Sequence, residues 1–338
     1  MVQLIALIFG VKKENIIFVP MKKLILLLIA AFFINKMQGQ YRLEFGGSVG
    51  GTNYLGDFGG KEKTRKDFVY DMKLNQTRFA IGGFVRYRLN HAFALNGGLT
   101  WGRLAGSDAT SLNPSRVARN LSFRNDLIEL SVRPEFTLYY DNDVAGKGYY
   151  NPDFRLYAFL GAAAFFNNPK AKNNAGEWVA LQPLKTEARQ YSKIQFTIPA
   201  GLGFYFTHRK KYRFGFEMGW RTTFTDYIDD ASSIYPNVAD LESDLSKEMA
   251  FRANEQSLTR AIELGKAYGT PEGESTVVSL GESFKSNQKR GDATHNDGYL
   301  FTQLSFSKAI KGKSKYYKSK YSWVKKKKRA YKKTRAKF

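Results

Sequence analysis

The chain has no cysteine among its 338 residues. That excludes disulfide bonds, lipid attachment through a cysteine and thiol catalysis, even for an exported protein that meets an oxidising compartment. Histidine is scarce, so a metal site would have to use His91, His208, His295 or carboxylates. Beyond residue 34 no run approaches the ~18 apolar residues that a membrane-crossing helix needs. Acidic residues are missing from the C-terminal end, where residues 311–338 carry fourteen Lys or Arg and no Asp or Glu.

What is present starts with an export signal. Lys22 and Lys23 precede an eleven-residue apolar run, 24–34, and Gly39 offers a small residue for cleavage, so residues 21–39 read as a secretory signal peptide rather than an uncleaved anchor. The twenty residues ahead of Met21 read as an upstream start and are set aside from the fold. The formal charge of +23 would suggest nucleic acid, but its distribution argues otherwise. Residues 40–310 hold 34 basic and 29 acidic side chains, a net of +5, so the excess belongs to the tail. Three segments follow: 1–39 upstream segment and signal, 40–310 a folded body without an internal linker, and 311–338 a basic tail.

The body alternates. Eight segments with a period of two are legible, at 41–50, 78–89, 92–104, 126–139, 154–166, 193–206, 213–225 and 299–308. In the fourth, Ile128, Leu130, Val132, Phe136 and Leu138 alternate with Glu129, Ser131, Arg133, Glu135 and Thr137. A soluble sandwich would turn the charged face to water, whereas a membrane barrel turns it inward. The gaps decide between them, because they run long and short in strict alternation: 51–77, 105–125, 167–192 and 226–298 are long, and 90–91, 140–153 and 207–212 are short. The expectation is an all-β, eight-stranded antiparallel transmembrane β-barrel with long extracellular loops and periplasmic termini. Eight strands leave an interior just filled by side chains, so Arg86, Arg88, Glu129, Arg133 and Glu135 are expected to form a packed lumenal network and not a transport path. The last long loop is expected to hold one helix from Val238 to about Ala267, opened by Asn237, striped by Leu241, Leu245 and Met249, and acting as a brace.

Chemistry-bearing motifs are few. Gly201-Leu202-Gly203 lies inside a strand and lacks the helix and later acid of a dinucleotide site. Asp226, Asp229 and Asp230 read as a hydrogen-bonded rim cluster ahead of a calcium site, whose ligand spacing they lack. His295 is the one histidine expected at the outer rim, which keeps open a lipid acyltransferase; a solvated loop histidine is the plainer reading. A surface-binding or adhesive barrel acting through its outer loops is a further alternative.

Several stretches, taken in order, resemble a known family. They are Tyr54-Leu55-Gly56-Asp57, Asn168-Pro169-Lys170-Ala171, Gly176-Glu177-Trp178, Leu181-Gln182-Pro183-Leu184, Ile198–Gly203, Thr223-Phe224-Thr225-Asp226-Tyr227-Ile228-Asp229-Asp230, Lys289-Arg290-Gly291-Asp292 and Asn296-Asp297-Gly298-Tyr299. Together they resemble the PorG family, outer-membrane barrels of the type IX secretion system in Bacteroidota. The resemblance implies a non-enzymatic anchor in the outer membrane with no cofactor. It would tie a periplasmic ring of PorK-like and PorN-like proteins to the membrane for secretion and, in gliding species, motility. The chain departs from the family pattern in Gly298, where a bulkier residue is expected, and in its long basic tail. There Lys325, Lys326, Lys327, Lys328, Arg329, Lys332, Lys333 and Arg335, interleaved with aromatics, are candidates for an anionic periplasmic partner and not for nucleic acid; a solvated, extended tail is the alternative.

Overall fold

A computed structural model of the chain describes residues 42–56, 58, 74–144, 146, 152–267 and 286–310. The signal segment, Asp57 and the whole basic tail lie outside the described residues.

Eleven strands make one antiparallel sheet. They are β1 (Leu43–Leu55), β2 (Arg78–Arg88), β3 (Phe93–Ser107), β4 (Ser122–Asp141), β5 (Asp153–Leu160), β6 (Ala162–Phe166), β7 (Pro169–Lys172), β8 (Trp178–Ala180), β9 (Ile194–His208), β10 (Tyr212–Thr223) and β11 (Gly298–Ile310). Each wall strand pairs with its sequence neighbours, β3 joins β4, and β1 joins β11 along its whole length from Leu43↔Ile310 to Leu55↔Gly298. The sheet therefore closes on itself and the wall has no free edge. The wall counts as eight when β5 and β6 are taken as one interrupted strand.

The interruption is a departure from the continuous fifth segment, 154–166, that alternation predicts. Gly161 donates its N–H to Pro199 at 2.9 Å, and Pro199 has no N–H to return, so the ladder breaks there. A side chain at Gly161 would also sit 2.4 Å from the Val132 carbonyl. Other boundaries move outward. β1 runs five residues past the predicted end, and β3 and β4 extend until the second long gap shrinks to residues 108–121. Ladder pairing with neighbours carries these ends further than alternation alone, and the long–short parity of the gaps survives.

The long-loop rim holds structure that periodicity does not reveal. β7 and β8 form a hairpin that continues the wall above β6, with β7 pairing the start of β4 at Asn125↔Pro169. A short helix, α1 (Pro114–Arg119), is capped by Asn113, whose side chain accepts from Ser115 and Arg116 N–H. The predicted single helix from Val238 to Ala267 is three pieces: a 3-10 turn (Val238–Asp240), α2 (Asp244–Ala250) and α3 (Glu255–Ala267). The breaks have local causes. Ser243 caps α2, and Asn254 with Ser257 exchange side-chain-to-backbone bonds of 2.8 and 3.1 Å, a reciprocal cap that starts a new helix. Asn237 makes no capping bond, contrary to expectation. The bracing role holds: Met249 and Leu245 pack with Ala171 and Leu181, and Leu258 and Leu264 of α3 pack on Val117 and Ala118 of α1.

The wall is inside-out. Outward positions are apolar and exposed around the whole ring, among them Phe45, Ile81, Leu99, Leu130, Phe196, Phe214 and Leu304. Inward positions include Glu44, Glu129, Arg86, Arg133, Glu217 and Arg221, all under 10% exposed.

Candidate functional site

Among the described residues the lumen is filled by buried, paired charges. Glu44 receives Arg86 at 2.9 Å, Arg213 and the Ser307 hydroxyl; Arg86 also meets Glu135 at 2.7 Å. Higher in the barrel Arg133 pairs with Glu217, whose other oxygen accepts from Tyr157 at 3.0 Å. Glu129 takes Arg221 at 3.2 Å and the Tyr299 hydroxyl at 2.8 Å. The guanidinium groups also lie over rings, Arg133 4.7 Å from Phe159 and Arg221 4.4 Å from Phe301. The expected lumenal network is therefore present. Of its missed members, Glu44, Glu217 and Arg221 neutralise the predicted Arg86, Arg133 and Glu129, and Arg213 shares Glu44. Arg88 stands apart, donating to the Tyr205 hydroxyl at 2.7 Å. The cavity that remains between Ser48, Arg86, Asn96 and Gln303 is only ≈ 20 Å³, room for about one water.

Above the network, the chain leaving β10 folds back over the barrel mouth, and most of the motif residues meet there. The Tyr54 hydroxyl, at the end of β1, stands between the carboxylates of Asp229 and Asp297, the latter at 2.7 Å. Asp297 also accepts from Ile228 N–H at 3.1 Å, and Asp229 from Ala231 N–H at 2.9 Å. Asp230 receives the hydroxyls of Thr186 and of Tyr191, the latter at 2.7 Å. Tyr191 stacks on Tyr227 with ring centroids 4.7 Å apart. Arg290 lies 2.9 Å from Glu187 and 3.7 Å from Asp230, and Glu187 also takes the Ser232 and Ser233 amides. Arg119 binds Asp108 through two nitrogens, at 2.7 and 3.0 Å, and donates to the Arg290 carbonyl.

Two glycines are required by close approach. A side chain on Gly56 would collide with the Tyr54 hydroxyl and Asp297 at 2.0 Å, and one on Gly291 with the Ser232 backbone at 2.7 Å. Asn168 gives its N–H to Asn125, whose amide also reaches the Ile228 carbonyl at 2.8 Å, and Pro169 pairs beside it. Asp226 is buried in the same assembly. Asp230 is pushed up to about 6 by burial, which outweighs Arg290 because that cation sits closer to Glu187. Burial likewise raises Tyr191 well above its usual range and Tyr235 to about 12.

Three motif residues lie elsewhere. Phe224 points outward from the wall, Pro183 is exposed in a 3-10 turn, and Trp178 is on the β8 hairpin arm. Sequence reasoning missed Asp108, Arg119, Thr186, Glu187 and Tyr191, which come from aperiodic loop. Alternation gives no signal there. Asp229 and Asp230 are hydrogen-bonded at the rim and Asp226 is buried; among the described residues no three His, Asp or Glu side chains converge as metal ligands. His295 is largely exposed, with Nδ1 2.8 Å from the Thr294 hydroxyl and 3.5 Å from Asp292. His91 and His208 are at the opposite rim, in or beside the short turns.

An antiparallel ring with an apolar outside, a charged and filled inside and one rim of long loops defines an outer-membrane-type β-barrel. Within that class the chain belongs to the family described as Domain of unknown function (DUF6089), which matches residues 22–244. No curated protein matches it. Among solved structures it is similar to Ail, the attachment invasion locus protein of Yersinia pestis, solved in complex with the heparin analogue sucrose octasulfate, at 9% sequence identity, 79% of this chain, 98% of that chain and a TM-score of 0.32. It is also similar to the N-terminal β-barrel domain of Pseudomonas aeruginosa OprF, at 9% identity, 80% and 98% coverage and a TM-score of 0.30. Neisserial surface protein A gives 7%, 81% and 100%, with a TM-score of 0.32.

Proposed function

We propose that this protein is a non-enzymatic outer-membrane anchor of type IX secretion machinery, with the long-loop rim outside and the ends of the mature chain in the periplasm. In this reading it holds a periplasmic ring of PorK-like and PorN-like proteins to the membrane. The observation that carries it is convergence: Tyr54, Gly56, Asn168, Pro169, Asp226, Tyr227, Asp229, Asp230, Arg290 and Gly291, scattered along the chain and resembling the PorG family in order, meet in one buried rim assembly. A filled lumen suits an anchor and not a pore. The rim assembly stiffens the outer end, which leaves the short turns and the tail for a periplasmic partner.

The test is isolation of the tagged full chain from outer membranes in mild detergent. Ring proteins of the PorK and PorN type should accompany it in stoichiometric amount. An intact, folded barrel that comes out alone, under conditions where the ring itself survives, would sink the reading.

A further inference from the structure

The outer wall carries a basic and aromatic patch just above its apolar band, at the long-loop end of β3 and β4. Going up the β3–β4 pair, outward residues face each other as Leu99↔Leu130, Trp101↔Ile128, Arg103↔Asp126 and Ala105↔Arg124. The apolar band thus ends at Trp101, an interfacial residue, and ionic side chains begin one step higher. From Ile128 down to Phe136 the outward face of β4 spans about 26 Å along the strand, or about 20 Å once tilted, comparable with the apolar belt of such barrels.

The β7–β8 hairpin widens this patch. Ala171 is turned inward against Leu181 and Met249, so Lys170 and Lys172 lie on the outward face with Arg124 and Trp178, their partners in register. Arg124 lies 4.0 Å over the Trp178 ring, and the Lys172 ammonium lies 5.5 Å from it. The charges do not cancel. Asp126 is taken by Arg103 through two bonds, at 2.6 and 3.2 Å, and is 3.8 Å from Arg124. Among the described residues no carboxylate comes within ion-pair distance of Lys170 or Lys172, and the Arg124 Nε makes no hydrogen bond.

We propose that this patch binds the phosphorylated headgroup of an outer-leaflet glycolipid. Arg124, Lys170 and Lys172 meet the phosphate, Trp178 lies against the sugar, and the acyl chains run down the wall over Trp101, Ile128 and Leu130. Height selects the ligand class: only a lipid places an anionic headgroup beside a protein wall immediately above an apolar band. The site is independent of the ring. It takes from the preceding reading only the outward direction of the long-loop rim, and binding in detergent does not depend on that direction.

The experiment uses the full chain purified in neutral detergent, with lipid retention read by native mass spectrometry. Phosphorylated lipid A should bind the wild type, and Arg124→Gln combined with Lys172→Gln should weaken it about tenfold or more. Heat-modifiable gel migration verifies folding of the variant, and Lys170→Gln with Lys172→Gln, both on an exposed hairpin, gives the same readout should the Arg124 change unfold the protein. Dephosphorylated lipid A should bind as weakly to the wild type as to the variant. Equal retention of lipid A by wild type and folded variant overturns the proposal. So does displacement of lipid A by inorganic phosphate at matched phosphate concentration, which would mark a site for a soluble anion.

Discussion

Glu44 concentrates the energetics of the lumen in one side chain. It is fully buried and is shared by Arg86 and Arg213, so its removal leaves Arg213 without its carboxylate partner and Arg86 with Glu135 alone. Glu44→Ala should destabilise the barrel by about 3–5 kcal/mol, read from denaturant unfolding in detergent. Removing Lys247, whose partner Asp244 is fully solvent-exposed, should leave the same curve unmoved. Asp230 makes the opposite kind of prediction. Its carboxyl is raised from 3.8 to about 6, so the folded rim binds a proton more tightly than the unfolded chain does. That stabilisation is complete below the unfolded value and is lost as pH rises through about 6. The thermal transition should therefore rise on going from about pH 7 to about pH 5, and Asp230→Asn should flatten the dependence. Asn suits the left-handed backbone at this position, φ 70, so the substitution tests charge with little strain. An unchanged slope in the variant would assign the pH dependence to another group.

At the scale of elements, the sequence reveals a feature when a single chemical alternation decides it. β2 and β3 are readable because Ile81, Val85, Leu99 and Trp101 face lipid while Arg86 and Asn96 face the lumen, and both strands match their predicted spans within three residues at either end. The gap at Gly161 is not readable, because it depends on Pro199 from a strand far along the chain. The β7–β8 hairpin is invisible for a related reason: its inward face packs on α2 and a loop, so its three or four residues per strand never show a full alternation. Likewise α2 and α3 merge in a helical reading until Asn254 and Ser257 are seen to cap each other. The rim cluster was half legible: its aspartates are conspicuous, but Glu187 and Arg119 lie in loops where only three-dimensional closure identifies them. The alternation of long and short connections yields a prediction of its own. Epitope tags at 90–91 or within 209–211 should stay inaccessible in intact cells, and a tag in the 268–285 stretch should be reachable from outside. Surface labelling of the short turns alone would invert the topology.

For the whole molecule, the body and the tail pose separate physical problems. β11 completes its ladder with β1 at Ile310, so every wall strand is paired before the basic segment starts. Deleting residues 313–338 should therefore leave insertion and heat-modifiability unchanged. Fourteen cations without a compensating acid repel one another, and their attraction to an anionic surface sums many weak contacts and falls with salt over a Debye length of about 8–10 Å. If the tail grips the periplasmic ring, the truncated protein should capture less ring at low salt, and the difference from the full chain should shrink as salt rises. Ring capture that is equal in both forms at every ionic strength would move the contact to the short turns. The connection 140–153 would be examined first, because its described residues Tyr140, Asn142 and Asp153 line a cavity of ≈ 300 Å³ together with Arg88, Lys210 and Arg213, with Asp153 the one acidic residue of the lining.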